Sequence, residues 1–290
     1  MIRKQTSEDL NQIMNIIKNT NHKFDGRLFL PGVMESPQVY VDVEHGEVIG
    51  VAYVNEKILH LHGKRIKVAY INASMMNDKG LSRLTKILSK SDMITMIQAS
   101  PSLELEKMGY EPVIEVSEYN ISTDYLPKLS IDGIVLNPEP HKLQQVYTNF
   151  TSHFNGYFER SPEYFKGIKK VLGSSGSIIG YEEGGQMKGY IVYEAHENVV
   201  IVKECCYQKS GHLLSMLSFV TRGKRRLVIQ TSSFEHLSRI LPQAKRTKET
   251  FMLASINDKT LFEHLFHIKI ISAYSGFNAF GKALWNRDHF

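Results

Sequence analysis

The stretch SMMNDKGLSRLTKIL, residues 74–88, carries the clearest ligand-binding pattern in the chain. The strand-like run KVAYINASMM enters the polar turn NDKG, and after the turn apolar residues recur at helix spacing: Leu81, Leu84, Ile87 and Leu88. The first N–H groups of a helix lack an internal partner, and the helix dipole favours negative charge at that end. A strand, a glycine-containing turn and a helix N-terminus therefore predict an anion cradle here.

Composition limits the class of protein. The chain has 290 residues, 42% of them hydrophobic and 22% charged, which is ordinary for a globular protein with one large domain or two smaller ones. The net charge of +5 is mild, and the densest basic cluster is RGKRR at residues 222–226. That cluster precedes the strand-like run LVIQT and has no flanking aromatic platform, so it indicates a solvated turn, with a nucleic-acid or phosphate patch as the alternative.

The cysteines and the termini predict a cytoplasmic protein. Cys205 and Cys206 are adjacent and point to opposite faces of a strand, so they form no ordinary structural disulfide. The opening run MIRKQTSEDL has no apolar signal core, and no segment approaches the ~18 uncharged apolar residues of a membrane span.

The order of elements predicts a mixed α/β fold. A short strand precedes the helix TSEDLNQIMNIIKNT, which has Thr6 or Ser7 as N-cap, and NHKFDGRLFLPGVMES reads as a loop or short helix. Two strands joined at Glu44–Glu47 follow, and then the long strand and helix of the cradle. The strand MITMIQAS, the short helix PSLELEKMG and closing strands in YEPVIEVSEYNIS complete a unit at residues 1–124.

The second half repeats this order. Two helices, a three-stranded meander, a helix, a strand, the helix FEHLSRILP and the strand RTKETFMLASIN occupy residues 131–258. The apolar tail at 259–290 is expected to dock as a helix and a terminal segment.

This doubled order resembles the Eis-like family of tandem-GNAT acetyltransferases, in which an active GNAT domain precedes a degenerate one. The resemblance rests on IRKQTSEDLNQI, HGKRIKVAYINASMM, FNGYFERSPEYFKGI, GYEEGGQMKGYIVYE and FMLASINDKTLFEHLF, and it spans nearly the whole chain. It implies two tandem GNAT folds plus a docked tail, with acetyl-CoA as co-substrate, no metal, and the sterol-carrier-like C-terminal domain of the family cut short.

The resemblance also implies the acetyl-CoA contacts. The family turn Arg/Gln-x-x-Gly-x-Gly/Ala aligns with residues 77–82, where Asn77 replaces Arg or Gln, Asp78 adds negative charge and the fourth position keeps its glycine. The expected contacts are strand N–H groups, the turn and the end of the next strand: Ile71, Asn72, Ala73, Lys79, Gly80, Leu81, Ser82, Arg83 and Ser100.

The acid–base groups expected from the resemblance are only partly present in this sequence. Leu105 stands where the family places a tyrosine that protonates the departing thiolate, so that role is lost or taken by another group. The family uses its C-terminal carboxylate as base, and the carboxylate of Phe290 is the corresponding catalytic candidate, with Asp288 and His289 nearby.

Other motifs have modest readings. His60 and His62 share one side of a strand, but no further ligand completes a metal site; EHLFH at residues 263–267 reads as a packed helix. An aromatic run is assigned mainly to core packing, with an acyl or amine pocket as the alternative: Phe150, Phe154, Tyr157, Phe158, Tyr164 and Phe165.

The sequence therefore predicts an N-acetyltransferase that moves an acetyl group from acetyl-CoA to an amine of a small molecule or a lysine side chain. The alternative is a non-catalytic acyl-CoA-binding or regulatory protein, and aminoacyl transfer is disfavoured because no long helical insertion is visible. No nucleic-acid or membrane partner is expected. The amine, the role of the second domain and any homo-oligomer stay open.

Overall fold

The computed structural model describes residues 1–19, 37–99, 101–172, 176–281 and 284–285. The strands of this part of the chain are β1 (Ile2–Lys4), β2 (Gln38–Glu44), β3 (Glu47–Leu61), β4 (Lys64–Ser74), β5 (Ile94–Ile97), β6 (Glu111–Ser122), β7 (Ile134–Leu136), β8 (Gly156–Phe158), β9 (Gly176–Glu183), β10 (Gln186–Ala195), β11 (Val199–Tyr207), β12 (Arg226–Ser232) and β13 (Lys245–Ile256). Its α-helices are α1 (Leu10–Asn19), α2 (Asp78–Leu88), α3 (Leu103–Lys107), α4 (Pro140–Thr151), α5 (Pro162–Leu172), α6 (Ser210–Val220), α7 (Lys259–Phe266) and α8 (Ala273–Phe277).

The chain divides into two compact units. Unit 1 comprises Met1–Ile114 and Thr250–Lys282, and unit 2 comprises Glu115–Glu249 and Ala283–Phe290. Strands β6 and β13 each contain a point where the chain passes from one unit to the other. This division is by compactness. The assignment of residues 1–124 and 131–258 to separate GNAT domains stays a prediction.

Unit 1 is built on a mixed sheet with the strand order β1-β2-β3-β4-β5-β13. Strands β2, β3 and β4 form an antiparallel meander, β5 runs parallel to β4, and β13 runs antiparallel to β5. One face of this sheet, which we call the α2 face, carries Val54, Ile71 and Ile97 in a core with residues of α2 and α3. The opposite face packs Val51 and Tyr53 against Ile13 of α1.

Unit 2 repeats this arrangement in the order β6-β12-β11-β10-β9-β7. Strands β9, β10 and β11 form the meander, β12 is parallel to β11, and β6 is antiparallel to β12. Helix α6 supplies Leu213, Met216 and Leu217 to the core that covers β11 and β12. The repeat seen in the sequence pattern is therefore also a repeat of strand pairing.

Most predicted elements are present, and their start signals work as expected. The Asp9 carboxylate accepts the Thr6 N–H at 2.7 Å and two Arg3 N–H groups at 2.6 and 2.8 Å, so the capping turn before α1 is fixed at both ends. Two hairpins turn on left-handed histidine–glycine pairs, His45–Gly46 and His62–Gly63.

Two predicted elements were wrong. FEHLSRILP forms only the short 3₁₀ turn Leu237–Arg239, because its apolar residues are too few to sustain a longer amphipathic helix. YEPVIEVSEYNIS forms the single strand β6 and not several, because its residues pair continuously with β12 from Val116 to Ser122. The predicted loop or short helix at 21–36 lies outside the described residues.

Candidate functional site

Strands β4 and β5 part at the centre of unit 1. Their parallel pairing ends at Ile71 and Ile97, and the Gln98 N–H makes the last rung to the Ile71 carbonyl at 3.1 Å. Strand β4 nevertheless continues to Ser74, paired with β3 on its other side. The register against β3 shifts at this point, so that Asn72 is an extra, bulged residue on β4. The parting leaves a gap in the sheet edged by the backbone of residues 72–74.

Helix α2 begins directly after this gap. Asn77 is its N-cap, and the Asn77 Oδ1 accepts the Gly80 N–H at 2.8 Å. The Leu81 N–H is used by the Asn77 carbonyl at 2.9 Å. The N–H groups of Asp78 and Lys79 make no hydrogen bond to the described residues, so this helix end offers two open donors.

Gly80 packs closely against a buried carboxylate. A Cβ at this position would lie 2.7 Å from the Oδ2 of Asp42, which is 1% exposed. The same carboxylate binds the Arg83 guanidinium, which also lies 3.7 Å from Glu44. Much of the positive charge of Arg83 is therefore compensated by carboxylates of the protein, although its Nε has no hydrogen-bond acceptor within the described chain.

A cleft of about 630 Å³ opens beside α2 within unit 1. Its walls come from α2, α3 and the end of β13: Asp78, Lys79, Ser82, Arg83, Thr85, Lys86, Ser89, Glu104, Lys107, Met108, Tyr110, Ser255 and Asn257. Lys107 is paired with Glu104 at 2.6 Å. Lys79 and Lys86 are exposed and form no ion pair with any described residue, so they give the cleft its available positive charge.

Leu105 and Tyr110 bear on the predicted loss of a proton donor near the cleft, which Tyr110 lines. Leu105 is buried in the core of the α2 face, so it supplies no proton. Tyr110, five residues later, is 1% exposed, and its hydroxyl makes no hydrogen bond of normal geometry with a described group, although Thr95 lies close by. Burial raises the pKa of the Tyr110 hydroxyl well above its usual range.

The structure gathers most of the predicted contact residues around the gap and the cleft. Lys79, Ser82 and Arg83 line the cleft, while Ile71 and Leu81 are buried in the core beneath it. Asn72 and Ala73 lie on the β4 backbone at the gap. Ser100 and Phe290 lie outside the described residues, as do Asp288 and His289.

Most cleft residues were not among the predicted contacts, and Lys86, Tyr110, Ser255 and Asn257 are examples. Lys86 carries a usable signal, because Lys79, Arg83 and Lys86 recur at the spacing of one helix face. Ser255 and Asn257 give no such signal, since they reach the cleft only through the pairing of β13 with β5.

Unit 2 has the same strand parting but a different interior. Its register shift makes Lys203 the bulged residue, and the next residue, Glu204, is fully buried with Arg160 at 2.8 and 2.9 Å. The Tyr190 hydroxyl donates to Glu204 at 2.6 Å. Aromatic rings surround the guanidinium: Tyr147, Tyr164 and Trp285, at 4.3, 4.5 and 5.7 Å. The charges of this site are therefore satisfied internally.

Several lesser motifs are also placed. Both cysteines are buried and unbridged on opposite faces of β11, as predicted. His62 shares a hydrogen bond with the Gly276 carbonyl at 2.8 Å, and the described residues contain no group of three or more potential metal ligands. EHLFH lies in α7 and its C-cap, as predicted. In the aromatic run, Phe158, Tyr164 and Phe165 are buried. No helix of the described chain is long and apolar enough to cross a membrane.

Comparison with protein-family models gave no match, and comparison with curated proteins gave none either. Solved structures are similar in fold. A conserved protein from Enterococcus faecalis, described as a probable N-acyltransferase, matches with a TM-score of 0.76 and 14% identity over 91% of this chain and 74% of its own. A GCN5-related N-acetyltransferase from Anabaena variabilis matches with a TM-score of 0.72 and 15% identity over 89% and 73%.

Eis1 from Mycobacterium abscessus is also similar, with a TM-score of 0.65 and 13% identity over 91% of this chain and 75% of its own. Structural similarity at identities this low is evidence for the fold alone. It confirms the predicted mixed α/β fold class. The chain has the fold of the GCN5-related N-acetyltransferases.

Proposed function

We propose that this protein is an N-acetyltransferase that moves an acetyl group from acetyl-CoA to a primary amine. One observation carries the proposal: the sheet of unit 1 parts beside a bulge at Asn72, next to an open helix N-terminus and a positively charged cleft. This combination offers backbone donors for a thioester carbonyl and a place for phosphates within one unit. The names of the similar structures point the same way.

The residues present fit the phosphate groups of CoA. The N–H groups of Asp78 and Lys79 are open at the α2 N-terminus, and Lys79 and Lys86 add free positive charge along the cleft. The cradle is weaker than a fully basic one, because Asp42 already binds Arg83 and the Asn77 amide occupies the Gly80 N–H. We expect Lys79 and Lys86 to provide most of the side-chain attraction for phosphate.

The chemistry needs one bond to form and one to break. The amine nitrogen attacks the thioester carbon, the C–S bond breaks, the ammonium proton passes to a base and the thiolate leaves with CoA. A backbone N–H of residues 71–73 at the gap would donate to the carbonyl oxygen as negative charge develops there. The gap thus orients the thioester, and the chain supplies the dipoles that stabilise the transition state.

Proton transfer is the step for which this chain departs most from the resembling family. Tyr110 lines the cleft, but its raised pKa makes proton donation to a thiolate unfavourable; a hydrogen bond that stabilises the thiolate is the role that fits. The base in this proposal is the carboxylate of Phe290, carried over from the family resemblance. The nearest described residue of the tail, Trp285, is held in place within unit 2, because its backbone N–H donates to the Gly156 carbonyl at 2.7 Å.

The competing function is a non-catalytic acyl-CoA-binding protein. The observation that favours it is Leu105, which is packed in the core where the resembling family has its proton donor. Under this function the cleft would still bind CoA, but no amine would be acetylated.

Calorimetric titration with acetyl-CoA and a thiol-release assay with primary amines test the two functions together. Lys79→Glu and Lys86→Glu should each weaken acetyl-CoA binding by about tenfold or more, since each replaces attraction to phosphate by repulsion. Lys90→Glu is the matched control, because Lys90 is exposed just beyond the end of α2 and does not line the cleft.

The outcomes separate cleanly. Absence of acetyl-CoA binding by the wild type would refute both functions. Binding without release of thiol for any amine would select the non-catalytic protein. Gly80→Glu would not separate the two functions, because any side chain at this position collides with Asp42 and disturbs the packing.

A further inference from the structure

The face of the unit 1 sheet opposite the α2 face carries a row of buried polar side chains. Tyr53 and Asn55 project from β3, and Tyr70 projects from β4 directly across from Asn55. These three residues are 4%, 5% and 0% exposed. Central strands of a mixed sheet are usually apolar on both faces, so a polar row at this place needs a reason.

Two members of the row have identified surroundings. The Tyr70 hydroxyl donates to the Gln98 Oε1 at 2.9 Å, and burial raises the pKa of Tyr53 to about 12. Asn55 differs from them. Its Oδ1 is buried and accepts no hydrogen bond from any described residue. A buried carbonyl oxygen without a donor destabilises the folded protein, so this oxygen calls for a partner from outside the chain, such as a ligand or an ordered water.

The equivalent position in unit 2 sharpens the contrast. Asn55 corresponds to Glu194 in strand pairing. Each is the second residue after the point where its strand pairs across the bulge of the next strand, Asn72 in unit 1 and Lys203 in unit 2. Glu194 lies 3.6 Å from the Lys203 ammonium and is therefore answered within its own unit. The unanswered acceptor is found in the unit that also has the charged cleft.

Asn55 is also close to the gap. Its partner Tyr70 is two residues from the bulged Asn72, which is roughly 7 Å along β4. Tyr70 in turn reaches Gln98, the residue that makes the last rung before β4 and β5 part. Asn55 thus lies beside the gap, on the face away from the cleft.

We propose that Asn55 binds the amine substrate by accepting a hydrogen bond from its N–H group. The inference rests on the proposed function and specifies where its second substrate enters. A thioester in the gap is attacked along a line out of its own plane, and CoA fills the cleft on the α2 face. The amine therefore approaches from the face that carries Tyr53, Asn55 and Tyr70.

The chemistry of the row suits a primary amine in its neutral, reactive form. An amide oxygen accepts an N–H without adding negative charge, whereas a carboxylate would favour the unreactive ammonium. Asn55 thereby holds the nucleophile without raising its pKa.

Asn55→Leu and Asn55→Asp test the inference, with Glu56→Gln as the matched control. Glu56 is the next residue on β3, points to the other face and pairs with Lys67 at the surface. The probes are n-butylamine, cadaverine and Nα-acetyl-lysine amide, assayed for thiol release and titrated into the protein saturated with CoA. Thermal unfolding without ligands reports whether each variant folds.

Asn55→Leu should raise the KM for amine by about tenfold and leave the acetyl-CoA affinity within about twofold of the wild type. It should unfold at the same temperature as the wild type or higher, because the unanswered polar group is gone. Asn55→Asp should lower KM and kcat together, since it binds the ammonium better and the reactive amine less well.

Unchanged amine KM and unchanged amine binding in Asn55→Leu would overturn the inference. A marked fall in unfolding temperature for Asn55→Leu would also overturn it, because it would show that the amide has a structural partner. Failure of the wild type to bind acetyl-CoA, or to release thiol from it with any amine, is a different result, which refutes the proposed function itself.

Discussion

Replacing Asn77 by alanine should lower the stability of the free protein and at the same time tighten its binding of CoA. The Asn77 Oδ1 caps α2 by accepting the Gly80 N–H at 2.8 Å. Loss of an N-cap of this kind costs about 1 kcal/mol. The same substitution frees the Gly80 N–H at the helix end where we place the phosphates.

The expected gain in affinity follows from a thermodynamic cycle. The free protein loses about 1 kcal/mol with its cap, whereas in the complex a phosphate oxygen accepts the freed N–H and restores most of that loss. The difference appears in binding, and about 1 kcal/mol corresponds to a roughly fivefold lower Kd. Stability and affinity therefore move in opposite directions.

Urea unfolding followed by circular dichroism, hydrogen exchange over α2 and calorimetric titration with CoA measure the two effects. Ser272→Ala is the matched control, because Ser272 caps α8 in the same unit by accepting the Ser275 N–H at 3.2 Å and does not line the cleft. It should lower stability and leave the Kd unchanged. A Kd for Asn77→Ala equal to the wild type or higher, together with the loss of stability, would refute the reasoning that the Gly80 N–H faces the ligand.

Three further outcomes are expected. Arg160→Met should destabilise the protein by about 3–5 kcal/mol, because it leaves Glu204 buried without its cation. Adding Glu204→Met should recover most of the lost stability in urea unfolding. Equal losses of stability in the single and double variants would contradict this expectation. The Arg3 guanidinium holds the pKa of the Asp9 carboxyl well below its usual range, so the stabilisation from the Arg3–Asp9 ion pair is complete above about pH 4 and fades as the pH falls below that. Asp9→Asn should therefore be less stable than the wild type at pH 7, and the difference should shrink on acidification. A difference in stability that does not depend on pH would argue against the Arg3–Asp9 ion pair. A few residues added after Phe290 should abolish thiol release and leave CoA affinity intact; full turnover in the extended protein would remove the terminal carboxylate as base.

The sequence was sufficient for the parts of the fold that depend on local patterns. The apolar periodicity of α2 and the hairpin turn at Glu44–Glu47 are properties of neighbouring residues, and both elements formed as predicted. The strand, the turn and the helix start of the predicted cradle were also recognisable, because they lie within one short stretch. The apolar residues of FEHLSRILP misled the prediction, because helix nucleation also needs length and a packing partner.

The tertiary structure decided what those elements do together. Asp42 comes from β2, and only the packed sheet brings it against Gly80 and Arg83 to reduce the charge of the cradle. The gap exists because β4 extends past its last rung with β5, and no residue pattern in either strand encodes where the other ends.

Asn55 shows the limit most clearly. In the sequence it is one polar residue in a strand, with nothing to separate it from an exposed asparagine. Burial is a property of what packs over a residue, and a missing hydrogen bond is a property of every neighbour at once. The sequence by itself therefore determined most of the helices and strands, whereas the three-dimensional packing determined which polar groups have no partner among the described residues.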